Sequence, residues 1–287
     1  MITCNLMGGF GNQLFQIFAT ISYAIKSKQQ FCFLNTKSLG NGSTIVRFTF
    51  WDTFFSNLKL FLVNDLPKMP IIKEENFHYN VLPIYETNND IMLYGYFQSY
   101  KYFEEYYSTI YRFIGIDKMK DTLLKKINLT KNDFNNTISM HFRLGDYKVK
   151  QDYHPIMPIK YYCDSLSYIQ KIYPNKDFVI FFFCEEEDIH EVKQMIQQLR
   201  ELFPDYSFIY CGKNENYYLE DWEQMLLMSC CNHNIIANSS FSWWSAYLNN
   251  TKNKRVFYPS PWFGPAANII PKDLCPSTWH KINVVKL

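Results

Sequence analysis

The hydrophobic and polar positions of the chain fall into two series of strand-like and helix-like periods. The first opens with the apolar run ITCNLM (2–7), which reads as a strand, followed by GGFGNQ (8–13). Beyond these glycines Leu14, Phe18, Ile21 and Ile25 recur at helical spacing, and Ile17 and Ala24 widen the stripe. The pattern predicts a strand, a glycine turn and a helix beginning at Asn12–Gln13. Residues 40–130 are irregular and aromatic, and IMLYGYFQSYKYFEEYYSTIYRFIG (91–115) reads there as a strand running into a helix. The polar stretch NLTKNDFNN (128–136) breaks the pattern and sets the expected boundary between an N-terminal domain, 1–134, and a C-terminal domain, 135–287. The last residues are a candidate for packing back on the N-terminal domain.

Beyond that boundary the alternation is regular. TISMHFR (137–143) puts Ile138, Met140 and Phe142 on one face, so that His141 and Arg143 project together from the other at the strand's C-terminal end. DFVIFFFC (177–184) is a continuous apolar run of the kind found in buried parallel strands. After the acidic run Glu185–Asp188, read as a first helical turn favoured by the dipole, Ile189, Val192, Ile196, Leu199 and Phe203 keep helical spacing. SFIYCG (207–212), LEDWEQMLLMSC (219–230), NIIA (234–237), NSSFSWWSAYLNN (238–250) and RVFYP (255–259) continue as strand, helix, strand, loop with helix, and closing strand. Strands alternating with helices predict an α/β fold with a doubly wound parallel sheet, whose ligands bind at the C-terminal ends of the strands.

Composition narrows the function. Of the 287 residues 47% are hydrophobic and 20% charged, which is ample for a packed core. The formal net charge of +2 is too balanced for a nucleic-acid binder. FVIFFFC (178–184) is far short of the ~20 apolar residues a bilayer span requires, so no integral membrane segment is expected. Because Ile2–Met7 already reads as a strand, no signal peptide is expected either. The eight cysteines lack zinc-ligand spacing and lie among apolar residues, as buried thiols of a reducing compartment do, so the expected location is cytoplasmic.

Two helix starts carry candidate chemistry. Gly9, Gly11 and Asn12 precede or open the first helix, where backbone N–H groups attract anions and glycine lets a phosphate or sugar come close. The glycines do not complete a dinucleotide fingerprint, since Leu14 stands where a third would fall. Asn238, Ser239, Ser240 and Phe241 open a second helix, and a serine there caps the helix in the ordinary case. An arginine at one strand end and a serine-rich helix start at another would together grip a diphosphate. A metal site is not expected: Asp221 and Glu223, the tight acidic pair, point about 200° apart on a helix.

GGFGNQLFQ (8–16), GYFQSYKYF (95–103), HFRLGDY (141–147) and CNHNIIANSSFSWWSAYL (231–248) resemble, in order, the motifs of glycosyltransferase family eleven, the α-1,2-fucosyltransferases. The resemblance runs nearly end to end. It implies two Rossmann-like domains facing across a cleft (GT-B type), GDP-β-L-fucose as donor, a glycan acceptor joined through the 2-hydroxyl of a galactoside, inversion at the anomeric carbon, and no cofactor or divalent metal. Carried over by motif, His141, Arg143, Ser239 and Ser240 hold the nucleotide diphosphate, while Gly11 and Asn12 approach the donor's phosphate and sugar. Two positions depart from the family. Leu144 stands where a second arginine is usual. Gln224 stands where an aspartate accepts from the guanine edge, with Asp221 and Glu223 as neighbouring carboxylates. Arg143 would stabilise the charge of the departing diphosphate, helped by Asn12. Asp146 is the first candidate for the base that takes the acceptor's proton, and equally a residue that orients Arg143. Asp152 and His154 come next. Two alternatives remain: a same-fold transferase using another nucleotide-deoxysugar, such as a rhamnosyl donor, and an inactive glycan-binding protein.

Overall fold

The opening apolar run folds as β1 (Ile2–Cys4) and the stripe after it as α1 (Phe10–Lys26), in a computed structural model that describes residues 1–40, 46–85, 89–212 and 217–284. Helix α1 starts at Phe10, earlier than the expected Asn12–Gln13, because the carbonyl of Gly9 accepts from the N–H groups of both Asn12 (3.0 Å) and Gln13 (3.1 Å). Gly11 therefore lies within the first helical turn. Short strands follow: β2 (Phe33–Leu34), β3 (Ser38–Leu39), β4 (Arg47–Phe48), β5 (Leu62–Val63), β6 (Ile71–Lys73) and β7 (Ile91–Tyr94), then α2 (Tyr107–Ile114) and α3 (Ile116–Lys126). Strand β7 pairs in parallel with β1 on one side and β6 on the other. A parallel bridge between Ile2 and Phe31 links β1 toward the parallel pair of β2 with β5. The aromatic middle section largely fills this core: Phe54, Phe55, Phe97 and Phe103 are fully buried.

The second series folds as β8 (Thr137–His141), α4 (Ile159–Ile172), β9 (Val179–Phe183), α5 (Ile189–Leu202), β10 (Ser207–Tyr210), α6 (Asp221–Met228), β11 (His233–Ile235), α7 (Ser240–Tyr247), β12 (Val256–Ser260) and β13 (His280–Asn283). All six strands are parallel, in the order β10-β9-β8-β11-β12-β13. Renumbered within the sheet this is 3-2-1-4-5-6, the strand order of the dinucleotide-binding fold. The series does not close at β12 as expected, since β13 adds an edge strand. Helix α4, absent from the pattern reading, buries Tyr161, Tyr162, Leu166 and Ile169. Every residue of β8 is buried, as helices cover both faces of the sheet, so its two-faced alternation is a core pattern on each side.

The chain divides into two compact units, Met1–Met119 with Ile270–Pro276 and Lys120–Ile269 with Ser277–Leu287. The division falls within α3 and not in the polar stretch 128–136, which forms a capped turn ahead of β8. Inside the second unit Lys120 Nζ donates to the Leu248 carbonyl (2.6 Å) and Lys126 Nζ to both Glu223 oxygens (2.7 Å), tying the end of α3 to α6 and α7. The segment grouped with the first unit near the end of the chain is Ile270–Pro276, where Asp273 accepts from Tyr79 N–H (3.0 Å) and its carbonyl accepts from Ser99 Oγ (2.9 Å). Among the described residues no helix is long and apolar enough to cross a membrane, and no group of three or more His, Cys, Asp or Glu converges as metal ligands.

His233 opens β11 with its ring buried against Tyr173 (5.3 Å) and its Nδ1 accepting from Arg255 N–H (3.0 Å). Burial, then Lys176 and Arg255, lower its pKa to about 4. Between that value and the unfolded value of about 6.5, only the unfolded chain binds the proton, so stability falls as pH falls through this window. His233→Asn should flatten that loss, by up to about 1.4 kcal/mol per pH unit, in urea denaturation followed from pH 7 to pH 5. Equal pH slopes in the two proteins would contradict the assignment.

Candidate active site

In a sheet of this order ligands bind where the strand order reverses, outside the carboxyl ends of β8 and β11. The two strands are direct neighbours, with Met140 opposite Ile235, so the segments that leave them emerge side by side. One carries His141 and Arg143 and the other Asn238–Phe241. The rings of His141 and Phe241 lie 5.5 Å apart. The Arg143 guanidinium sits 5.2 Å over the Tyr147 ring, whose hydroxyl donates to the Asn238 carbonyl (3.0 Å). The structure thus joins the arginine segment to the serine loop through Tyr147.

Arg143 does not stand free. Its Nη2 donates to Asp146 Oδ1 (2.6 Å) and its Nη1 to Glu185 Oε1. Burial pulls its pKa down, and Glu185, Tyr147 and Asp146 more than reverse this, so the guanidinium stays charged. Asp146 Oδ1 is thus bonded to the guanidinium, the arrangement of a residue that orients Arg143. Burial raises the pKa of Glu185, against the pull of Arg143. Glu185 caps the helical turn Glu186–Asp188 that the sequence predicts, and because it immediately follows Cys184 at the end of the next parallel strand it also reaches Arg143. Gly145 makes room for it: φ is +39° there, and a Cβ would lie 2.2 Å from Glu185 Oε2. Asp188, also assigned to the dipole turn, is buried and accepts from Gly145 N–H (2.6 Å) and Lys148 Nζ (2.8 Å). The acidic run thus braces the arginine loop.

Around this cation the remaining candidates divide. Burial, then Arg143, lower the His141 pKa to about 3, so its imidazole is neutral at physiological pH, and its buried Nδ1 has no hydrogen-bond partner among the described residues. Ser239 caps α7, accepting from Phe241 N–H (3.3 Å), which is the ordinary capping role. Ser240 opens the helix, partly exposed. Asn238 spends both amide hydrogens on the carbonyls of Pro155 and Trp262 (3.0 Å each), so it fixes the loop and has none left to donate to a ligand. His154 stacks on Tyr147 (4.8 Å), and burial lowers its pKa. Asp152 is exposed. Leu144, in the place of a family arginine, is buried in the apolar core of the sheet. Gln224 is buried and donates to the Leu219 carbonyl (3.2 Å). Glu223 is committed to Lys126 and to the backbone N–H of Glu220 (3.0 Å), which removes it as a free carboxylate for a base edge.

The glycine loop belongs to the first unit. Gly9 opens space at the start of α1, with nothing within 4 Å of a Cβ built there. Gly8 has φ +75°, and a Cβ on it would lie 2.4 Å from Asn12 Nδ2. Side chains not singled out by motif reading brace the loop. Gln16 exchanges hydrogen bonds with both backbone groups of Met7 (2.8 and 3.3 Å), and Gln13 donates to the carbonyls of Gly8 (3.2 Å) and Phe48 (2.9 Å). Gln98 Nε2 donates to Asn12 Oδ1 (2.8 Å). Gln13, Gln16 and Thr20 recur at helical spacing on one side of α1, and all three are buried.

Gly145→Ala would press a methyl against Glu185 and require an alanine at positive φ. The expected cost is about 1–2 kcal/mol in urea denaturation. A variant as stable as the parent would show that residue 145 does not hold a positive φ.

The sequence profile described as Glycosyl transferase family 11 matches residues 1–261. The chain is 26% identical to an alpha-1,2-colitosyltransferase of Escherichia coli over 98% of this chain and 99% of that protein. It is 26% identical to the O-antigen biosynthesis glycosyltransferase WbnK of the same species, over 92% and 95%. It is 22% identical to a galactoside 2-alpha-L-fucosyltransferase of Caenorhabditis elegans, over 99% and 79%. With a family profile spanning most of its length, the chain belongs to glycosyl transferase family 11 and is a glycosyltransferase.

Proposed function

We propose that this glycosyltransferase moves L-fucose from GDP-β-L-fucose to the 2-hydroxyl of a galactoside, with inversion and without a divalent metal. The observation that carries the reading is the pairing of Arg143 with the α7 helix start at the reversal of strand order, in a chain of this family. In this reading the second unit holds the nucleotide diphosphate and the first holds the acceptor, in a GT-B arrangement. The guanidinium would offer its fork to the phosphate oxygens, and Ser240 with the helix dipole would add a hydroxyl and a positive end. Neutral His141 would contribute a hydrogen bond and not a charge. In the first unit Asn12 would offer its amide hydrogens to the donor.

The acceptor oxygen forms a bond to the anomeric carbon while the bond from that carbon to the β-phosphate oxygen breaks, and the electron pair leaves with GDP. The acceptor's proton passes to a base or to the departing phosphate. With Asp146 bonded to Arg143, His154 and Asp152 on the loop that follows are the next candidates for the base. A second reading keeps this chemistry with another nucleotide-activated deoxyhexose. The likeness to a colitosyltransferase and the amide of Gln224 in place of a carboxylate favour it.

Incubation with GDP-fucose, GDP-colitose and dTDP-rhamnose and a galactoside acceptor, in EDTA, should yield a fucosylated product by mass spectrometry. Transfer from another donor alone would overturn the fucose assignment, and transfer lost in EDTA would overturn metal independence. Arg143→Ala should lower the rate about a hundredfold or more, as loss of a preorganised transition-state contact does. Undiminished turnover would remove Arg143 from the mechanism.

A further inference from the structure

The carboxyl ends of three adjacent parallel strands, β1, β7 and β6, meet in the first unit. They lead into the glycine loop, into Gly95–Gln98 and into Glu74. Glu74 Oε2 accepts from two consecutive backbone N–H groups, Tyr96 (2.7 Å) and Phe97 (2.9 Å). Phe97 is fully buried with φ +52°, a left-handed conformation that costs an ordinary side chain free energy. Gly95 is glycine because a Cβ there would lie 2.3 Å from Glu74 Cβ. Charge-assisted bonds from the carboxylate offset the strain and hold the turn in a shape it would not keep alone. The residue that follows is Gln98, whose amide hydrogen bonds to Asn12 Oδ1.

This arrangement decides which end of Asn12 is on offer. Its carbonyl oxygen is spent on Gln98, and its Nδ2 occupies the space left by the missing Cβ of Gly8. The amide can then present only donors. We propose that Glu74 is a positioning residue, which fixes the Asn12 amide for the sugar-nucleotide donor by pinning the Gly95–Gln98 turn. The proposal rests on the donor role of Asn12 given above. Glu74 is not offered as a donor contact: its Oε1 is buried without a partner among the described residues, and its Oε2 is spent on the backbone.

The relay makes a prediction that a merely structural acid would not. Glu74→Ala and Gln98→Ala should each lower kcat by about tenfold to a hundredfold, the range for a misplaced contact. Glu74→Gln keeps an oxygen for the two N–H groups and should retain activity within a few-fold, which a proton-accepting Glu74 would not. Glu74→Ala added to Asn12→Ala should be no slower than Asn12→Ala alone, because the two act as one unit. A separate readout needs no turnover. The side-chain amide pair of Asn12 in the 1H–15N spectrum, assigned by its loss in Asn12→Asp, should shift in Glu74→Ala and Gln98→Ala and stay in place in Glu74→Gln. An unmoved pair in both alanine variants, or a full additive loss in the double variant, would overturn the relay. Unaltered kinetics in Asn12→Ala would instead overturn the donor role on which it rests, with the amide spectrum still reporting whether Glu74 orients Asn12.

Discussion

The second unit's site depends on how one cation is held. Arg143 lies beyond the end of a buried central strand, on the face of Tyr147, with a carboxylate from its own loop at one terminal nitrogen and a carboxylate from the neighbouring strand end at the other. Such fixing removes the rotamer freedom that a long side chain would otherwise lose on binding. It also means that an anion reaching Arg143 must share it with Asp146 and Glu185, or displace one of them.

Around this cation the loops depend on one another. Asp188 holds Gly145, Gly145 admits Glu185, Tyr147 reaches the carbonyl of Asn238, and Asn238 ties the serine loop to Pro155 and Trp262. The first unit solves a similar problem with amides. Gln13, Gln16 and Gln98 brace a glycine loop whose backbone has little side chain of its own to pack. In the second unit Glu185 comes from the end of a neighbouring parallel strand, and in the first Gln98 does so while Gln13 and Gln16 come from α1.

Much of this was legible beforehand because periodicity reports burial. The runs around Ile138, Phe181 and Ile235 read as strands, the helix from Ile189 was recovered with its buried face, and the motif residues His141, Arg143 and Ser239 fall at one place because their strands are neighbours. What was not legible follows from contacts between segments distant in sequence. Glu185 opens the acidic helical turn as expected, but nothing local shows that Gly145 leaves room for it beside Arg143. Asn238 looked available to a ligand, although both its hydrogens are spent on carbonyls well removed in sequence. Glu74 sits in an irregular aromatic stretch where no period points to it. Helix α4 does not stand out in the pattern because its buried face mixes Tyr161, Tyr162 and Ser165 with Leu166 and Ile169, and the two tyrosine hydroxyls reach carbonyls at strand ends of the sheet.

In the proposed function Arg143 binds the nucleotide diphosphate. Titration calorimetry of GDP with the parent protein and with Arg143→Ala, at equal pH and salt, tests it most directly. Loss of a charge-assisted contact predicts binding about ten- to a hundredfold weaker in the variant. Equal affinity in the two proteins would contradict it.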